Sequence, residues 1–177
     1  GMIHQHFMLV DTMTVLQNLI LGHEPVDNGL VDRTSARERI SDLCDTYGFD
    51  VDDHFETRVE DIGVGVQQRV EILKTLYRGA DTLILDEPTA VLTPQEVESL
   101  YRVMTELTDQ GHSIIFITHK LEEAMRAADE ITVLRDGRTV GTVDADDTSQ
   151  AELAEMMVGR DVLFDVEQST REAGDAL

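Results

Sequence analysis

Two short apolar runs constrain the architecture of this chain more than any other feature. Thr82-Leu83-Ile84-Leu85 and Ser113-Ile114-Ile115-Phe116-Ile117-Thr118 start about 30 residues apart, with a helical pattern between them. Strands joined through such a helix pair in parallel, as one right-handed crossover. Both runs are apolar enough to be buried strands of an α/β sheet. The first ends abruptly in two carboxylates, Asp86 and Glu87, followed by Pro88-Thr89-Ala90. The carboxyl edge of an open α/β sheet is where ligands bind. One carboxylate there can hold a magnesium ion through its water shell, and the next can polarise a water attacking a phosphate. Taken alone, the pair reads more simply as a strand ending in a solvated acidic turn. The rest of the chain reverses that preference.

Thr93-Pro94-Gln95-Glu96 opens the intervening helix with a cap, a first-turn proline and a capping-box glutamate. Val97, Leu100, Tyr101, Met104 and Leu107 form its inner face, and Gly111 stops it. A helix over 121–128 follows, then a hairpin of 131–135 and 138–143 around Asp136-Gly137. Ser149 and Glu152 cap a last helix that ends at Gly159, and the polar tail 161–177 reads as a linker. The front of the chain reads as all-helical. A short helix over 12–21 is closed by Gly22, and a loop runs over 23–29. The capping box Ser35-Ala36-Arg37-Glu38 then starts a stripe of Ala36, Ile40, Leu43, Cys44 and Tyr47 that ends near Gly48. Gly63-Val64-Gly65 turns into a helix from Val66 to about Tyr77, with Val66, Val70, Leu73, Leu76 and Tyr77 on its buried side. The division this suggests is 1–80, 81–160 and the tail 161–177.

The 177 residues carry a net charge of -22, from 36 acidic and 14 basic residues, and only Lys74 and Lys120 are lysines. Such a surface repels nucleic acid and anionic lipid. It also opposes compaction unless salt screens it, and at about 1 M salt the Debye length falls to about 3 Å. A salt-rich cytoplasm is the inferred setting; a merely solvated acidic face is the alternative. The apolar runs, such as Val15-Leu16 with Leu19-Ile20-Leu21, are too short to span a bilayer. Cys44, the single cysteine, falls on a helical stripe, and core packing is its expected role. His4, His6, His23, His54 and His112 show no metal-ligand spacing. The chain begins Gly1-Met2-Ile3 without a basic leader, and this start reads as cut.

Four elements occur in a telling order: Gln5 after an apolar start, Gly63-Val64-Gly65-Val66-Gln67-Gln68-Arg69 before a helix, Leu83 to Pro88, and Ile117-Thr118-His119. This order resembles that of ATP-binding-cassette ATPases. Wording such as Gln67 to Lys74, Glu87 to Thr93 and Met156-Met157-Val158-Gly159-Arg160 is similar to importers of simple sugars and nucleosides, in which two cassettes are fused in one polypeptide. The resemblance covers residues 1 to about 159 and implies most of a first cassette. The implied fold is an α/β P-loop NTPase (RecA-like) core with an α-helical subdomain, its N-terminal strands and phosphate loop missing.

What the resemblance implies for the site is specific. Asp86 would hold magnesium through water, and Gln5 would add a neutral oxygen to the metal or water. Glu87 would orient or deprotonate the water, and His119 would hold Glu87 and touch the terminal phosphate. In isolation Gln5 is a surface amide and His119 a helix-start histidine; their place in the ordered set makes the functional reading the better one. Gly63, Val64, Gly65, Val66 and Gln67 correspond to the signature loop, which acts on ATP held by the opposite cassette through amides at a helix start. Relatives usually carry serine at the place of Gly63 and a polar residue at that of Val66. The missing hydrogen bond weakens the contact by about 1–2 kcal/mol. Ala90, Val91, Leu92 and Thr93 correspond to the D-loop across the cassette interface, where many cassettes have aspartate at the place of Thr93. An asymmetric pair of ATP sites follows, the one facing Gly63 being the poorer. No G-x-x-x-x-G-K-[ST] loop occurs in the sequence. By itself the chain is therefore expected to bind ATP poorly.

The leading expectation is an ATPase, with ATP and Mg2+ as cofactors, that powers nucleoside or simple-sugar import from the cytoplasmic face of a prokaryotic membrane. Its implied partners are a second cassette, transmembrane permeases and an extracellular substrate-binding lipoprotein, with the surface around Phe7 to Gly22 facing the permease. The alternatives are a cassette ATPase without a transport role, which the acidity and the Q-loop wording disfavour, and a truncated docking or regulatory cassette.

Overall fold

In a computed structural model, which describes residues 1–5 and 7–159, the chain forms two compact units that divide after Thr118. The first unit holds β1 (Met2–Ile3), α1 (Val15–Ile20), β2 (Val26–Asp27), β3 (Leu30–Val31), α2 (Arg33–Tyr47), α3 (Val64–Tyr77), β4 (Thr82–Asp86), α4 (Pro94–Asp109) and β5 (Ser113–Ile117). The second holds α5 (Leu121–Ala127), β6 (Glu130–Arg135), β7 (Arg138–Asp144) and α6 (Gln150–Val158). His6, Arg160 and the expected linker 161–177 lie outside the described residues.

The crossover forms as expected. β4 and β5 pair in parallel, Thr82 opposite Ser113 through Asp86 opposite Ile117, with α4 between them in the chain. β1 adds a parallel partner on the other side of β4, giving the order β1-β4-β5. Leu83 and Leu85 point into the core, with Ile3 of β1 also fully buried. β5 departs from the expectation of a buried strand: it edges the sheet, and Ile115 and Ile117 are 52% and 43% exposed.

Helix starts follow side-chain capping chemistry. Thr93 and Glu96 form the expected capping box of α4, with Pro94 in the first turn, and Ser149 and Glu152 do the same for α6. α2 starts earlier than Ser35-Glu38 suggested. Asp32 is its cap, accepting from the amides of Thr34 and Ser35, and a carboxylate there outcompetes the later serine. Gly48 ends α2 in the left-handed conformation, φ 68. α1 is shorter than expected because Thr14 caps it in a box with Gln17.

The front part is not wholly helical. Asn28 (φ 49) and Gly29 (φ 83), at the end of the expected loop, make a tight turn that pairs Val26 with Val31 just beyond it. Single 3-10 turns occupy Asp52–His54 and Val59–Asp61. In the second unit the hairpin turns at Asp136 and Gly137, both with positive φ.

Candidate active site

β4 carries Asp86 to the end of the sheet, where Asp86 lies opposite Ile117 of β5. On the other flank Ile3 pairs with Leu85, so Gln5, two residues further on, emerges at the same edge. The structure thus brings Gln5, Asp86 and Glu87 to one rim, with Gln5 exposed and both acids half-buried. Among the described residues no group of three or more His, Cys, Asp or Glu side chains forms a metal cage. A lone strand-end carboxylate suits magnesium, which takes one or two protein carboxylates and completes its shell with waters and phosphates. The donor set therefore fits that ion.

Glu87 adopts φ 48, in the left-handed region. For a residue with a long side chain this conformation costs about 1–3 kcal/mol and persists only where neighbours over-determine it. Its amide donates to the Ile117 carbonyl at 2.9 Å, prolonging the β4–β5 ladder, and its own carbonyl accepts from Ala90 at 3.2 Å. The next peptide is held from outside the turn. Gln68 of α3, 2% exposed, donates its side-chain amide to the Pro88 carbonyl at 2.6 Å. Sheet ladder, turn and α3 together fix where the Glu87 carboxylate starts.

Gly63 caps α3 without a side-chain bond, and the helix begins at Val64, two residues before the expected start. The amides of Val66 and Gln67 both donate to the Gly63 carbonyl at 3.0 Å. Val66 was expected to offer its amide to phosphate, but that N–H is already bonded within the first helical turn. The Gln67 side chain turns back on its own loop, donating to the carbonyls of Val59 (3.2 Å) and Ile62 (3.1 Å). After Glu87, Ala90 and Val91 are exposed, Leu92 is half-buried, and exposed Thr93 caps α4. His119 opens the second unit and is exposed.

The segment that follows Gln5 is clamped from two helices. Asn18 of α1, fully buried, accepts the Val10 amide at 2.7 Å and donates to the carbonyls of Val10 and Thr14 at 3.1 Å. Lys74 of α3 donates to the Met8 carbonyl at 2.9 Å and lies 3.5 Å from the buried Glu71 carboxylate.

Residues 1–90 match the ABC transporter family. Over 99% of its length the chain is 49% identical to the glucose import ATP-binding protein TsgD13 of Haloferax volcanii, of which the match spans 36%. The chain belongs to the ABC transporter family. The guanosine import ATP-binding protein NupO of Bacillus subtilis is 54% identical over 98% of the chain and 34% of its own length. The chain thus spans about a third of the length of these curated relatives. Among solved structures, cbiO1 from Clostridium perfringens, part of the ABC transporter complex cbiONQ, superposes with TM-score 0.69 at 24% identity. That match covers 94% of this chain and 63% of the other, and it shows the ABC cassette fold.

Within the ABC fold, the sequence reading passed over Gln68, Asn18, Lys74 and Glu71. Asn18 adjoins Leu19-Ile20, and Glu71 and Lys74 flank Ile72-Leu73, so a polar residue beside an apolar pair was the available signal; Gln68, between Gln67 and Arg69, gave none. A polar side chain at a buried position is there to satisfy a partner: for Gln68, Asn18 and Lys74 the partners are carbonyls of the loops around Gln5 and Glu87, and for Glu71 the partner is the Lys74 ammonium.

Proposed function

We propose that this chain is part of an ATP-binding and ATP-hydrolysing subunit that powers import of nucleosides or simple sugars through an ABC transporter. The observation that carries the reading is the rim formed by Gln5, Asp86 and Glu87, with Glu87 held in a strained backbone conformation at the strand end. Strain of this kind collects where a side chain must be aimed. The relatives named above, import ATP-binding proteins for glucose and guanosine, support the choice of substrate class.

In this proposal Asp86 and Gln5 hold Mg2+. When bound, that ion neutralises phosphate oxygens during cleavage. Glu87 orients the attacking water and takes its proton, and His119 holds Glu87 and donates toward the terminal phosphate. The Gly63–Gln67 loop meets ATP carried by a second cassette, and Ala90–Thr93 lies across the interface between the two. The remaining partners are transmembrane permeases, met through the clamped segment after Gln5, and an extracellular substrate-binding lipoprotein. The proposed place is peripheral, on the cytoplasmic face; among the described residues no helix is long and apolar enough to cross a membrane. The net charge of -22 supports a salt-rich cytoplasm.

The test uses the full-length polypeptide that contains this segment. Glu87→Gln keeps ATP binding and lowers turnover by at least about 100-fold, as loss of a positioned general base does. Wild-type turnover in that variant sinks the proposal. Uptake of labelled guanosine against labelled glucose in vesicles with the partner permeases identifies the cargo.

A further inference from the structure

Gly65, buried in the first turn of α3, has a negative φ, so its backbone conformation does not call for glycine. Space does. A Cβ placed on Gly65 would lie 2.6 Å from the carboxyl carbon of Glu96 and 2.8 Å from its Cγ, closer than real Cβ atoms come. The carboxylate of Glu96, in the first turn of α4, thus rests directly on the Gly65 backbone. Its Oε1 faces Gly65, while its Oε2 accepts the Thr93 amide at 2.8 Å and the Thr93 hydroxyl at 2.9 Å. One carboxylate spans two loops that are distant in sequence.

We infer that Glu96 is a positioning residue that couples the Ala90–Thr93 loop to the Gly63–Gln67 loop, so that the two present themselves to a nucleotide as one surface. This rests on the proposal above that both loops face ATP on the opposite cassette. The chemistry suits the task. A carboxylate accepts at two oxygens at once, so it can hold the end of one loop and the helix start of the other. Consistent with this bridge, the Thr93 amide and then its hydroxyl, the Gly65 amide and nearby Arg69 hold the Glu96 carboxyl below the usual carboxylate range. With Oε1 against Gly65 and Oε2 on Thr93, a shift of either loop is transmitted to the other.

The experiment combines a stability cycle with kinetics on the full-length polypeptide, using Gly65→Ala, Glu96→Ala, their double variant, Glu96→Gln and Glu87→Gln. Gly65→Ala lowers the melting temperature in the wild-type background and has little effect in the Glu96→Ala background. Glu96→Ala lowers kcat for ATP about tenfold with KM within about twofold, the loss of about one charge-assisted hydrogen bond at the closed interface. Glu96→Gln, which keeps one acceptor oxygen, falls between. Additive melting shifts, or an unchanged kcat in Glu96→Ala, overturn the coupling. If Glu87→Gln abolishes turnover while Glu96→Ala leaves it intact, the coupling fails and the ATPase proposal stands. If Glu87→Gln also leaves turnover intact, both fall.

Discussion

The side-chain amide of Gln68 reaches out of α3 to the carbonyl of Pro88, 2.6 Å away and out of contact with solvent. It joins the helix that begins at the glycine-rich loop to the peptide just beyond Glu87. Truncation to alanine strands a buried carbonyl, which costs about 1–3 kcal/mol. Gln68→Ala is therefore expected to lower the unfolding free energy by that amount, read from the shift of the urea midpoint multiplied by the m-value. In the full-length polypeptide it should also reduce ATP turnover more than ATP binding. Equal stability of variant and wild type would contradict the burial of this bond.

Lys74 and Glu71 form a buried pair with side-chain exposures of 10% and 5%, and Lys74 also holds the Met8 carbonyl. Removing one member leaves the other charge buried and uncompensated, at about 3–5 kcal/mol. Lys74→Met should thus be severely destabilising, and Glu71→Gln in the same chain should recover a large part of the loss. Denaturant unfolding of the two single variants and the double variant measures the coupling. Simple additivity would show that the two charges do not interact.

Gly63 has extended backbone angles, φ -66 and ψ 156, and a Cβ there meets nothing within 4 Å. Serine fits this cap position, and relative to glycine it changes helix stability by only a few tenths of a kcal/mol. Gly63→Ser should fold as the wild type does. If the site facing Gly63 is the poorer of two ATP sites, the variant raises turnover in the full-length polypeptide. Unchanged turnover would remove the asymmetry.

Burial first, and then the charge and hydrogen bond of Asp52, push the Cys44 thiol from its ordinary 9.0 up to about 12. The folded chain keeps a proton that the unfolded chain releases. This contribution to stability is complete below about 9.0 and is lost as pH rises toward about 12. The stability advantage of wild type over Cys44→Ala should shrink across that window in urea titrations. The native thiol should also resist a disulfide reagent near neutral pH until the chain unfolds, and fast labelling would contradict its placement.

Much of the fold was legible because local chemistry and global packing agree. The apolar runs, the Thr93 and Ser149 capping boxes and the Asp136-Gly137 turn all name their own structures. The start of α2 was misplaced because two competent caps stand three residues apart, and sequence does not say which wins. The burial of β5 differs from the expectation because, among the described residues, it ends the sheet and its outer side has no strand beside it. The end of β4 at Asp86 was legible from the apolar run before it. The supports from Gln68 to Pro88, Lys74 to Met8 and Glu96 to Gly65 were not, since each depends on a partner distant in sequence. The glycine at position 65 shows the same limit: its reason is a carboxylate 31 positions later, visible only once α3 and α4 are side by side.

The open side of β5 has a bearing on handling the chain in solution. Among the described residues β5 ends its sheet, so in this segment taken by itself its backbone donors and acceptors, beside two exposed isoleucines, are a template for pairing with another strand. At low ionic strength mutual repulsion between chains of charge -22 keeps copies apart. Salt that eases the crowding of carboxylates within one molecule also removes this barrier between molecules. Conformational stability and colloidal stability therefore pull the choice of buffer in opposite directions.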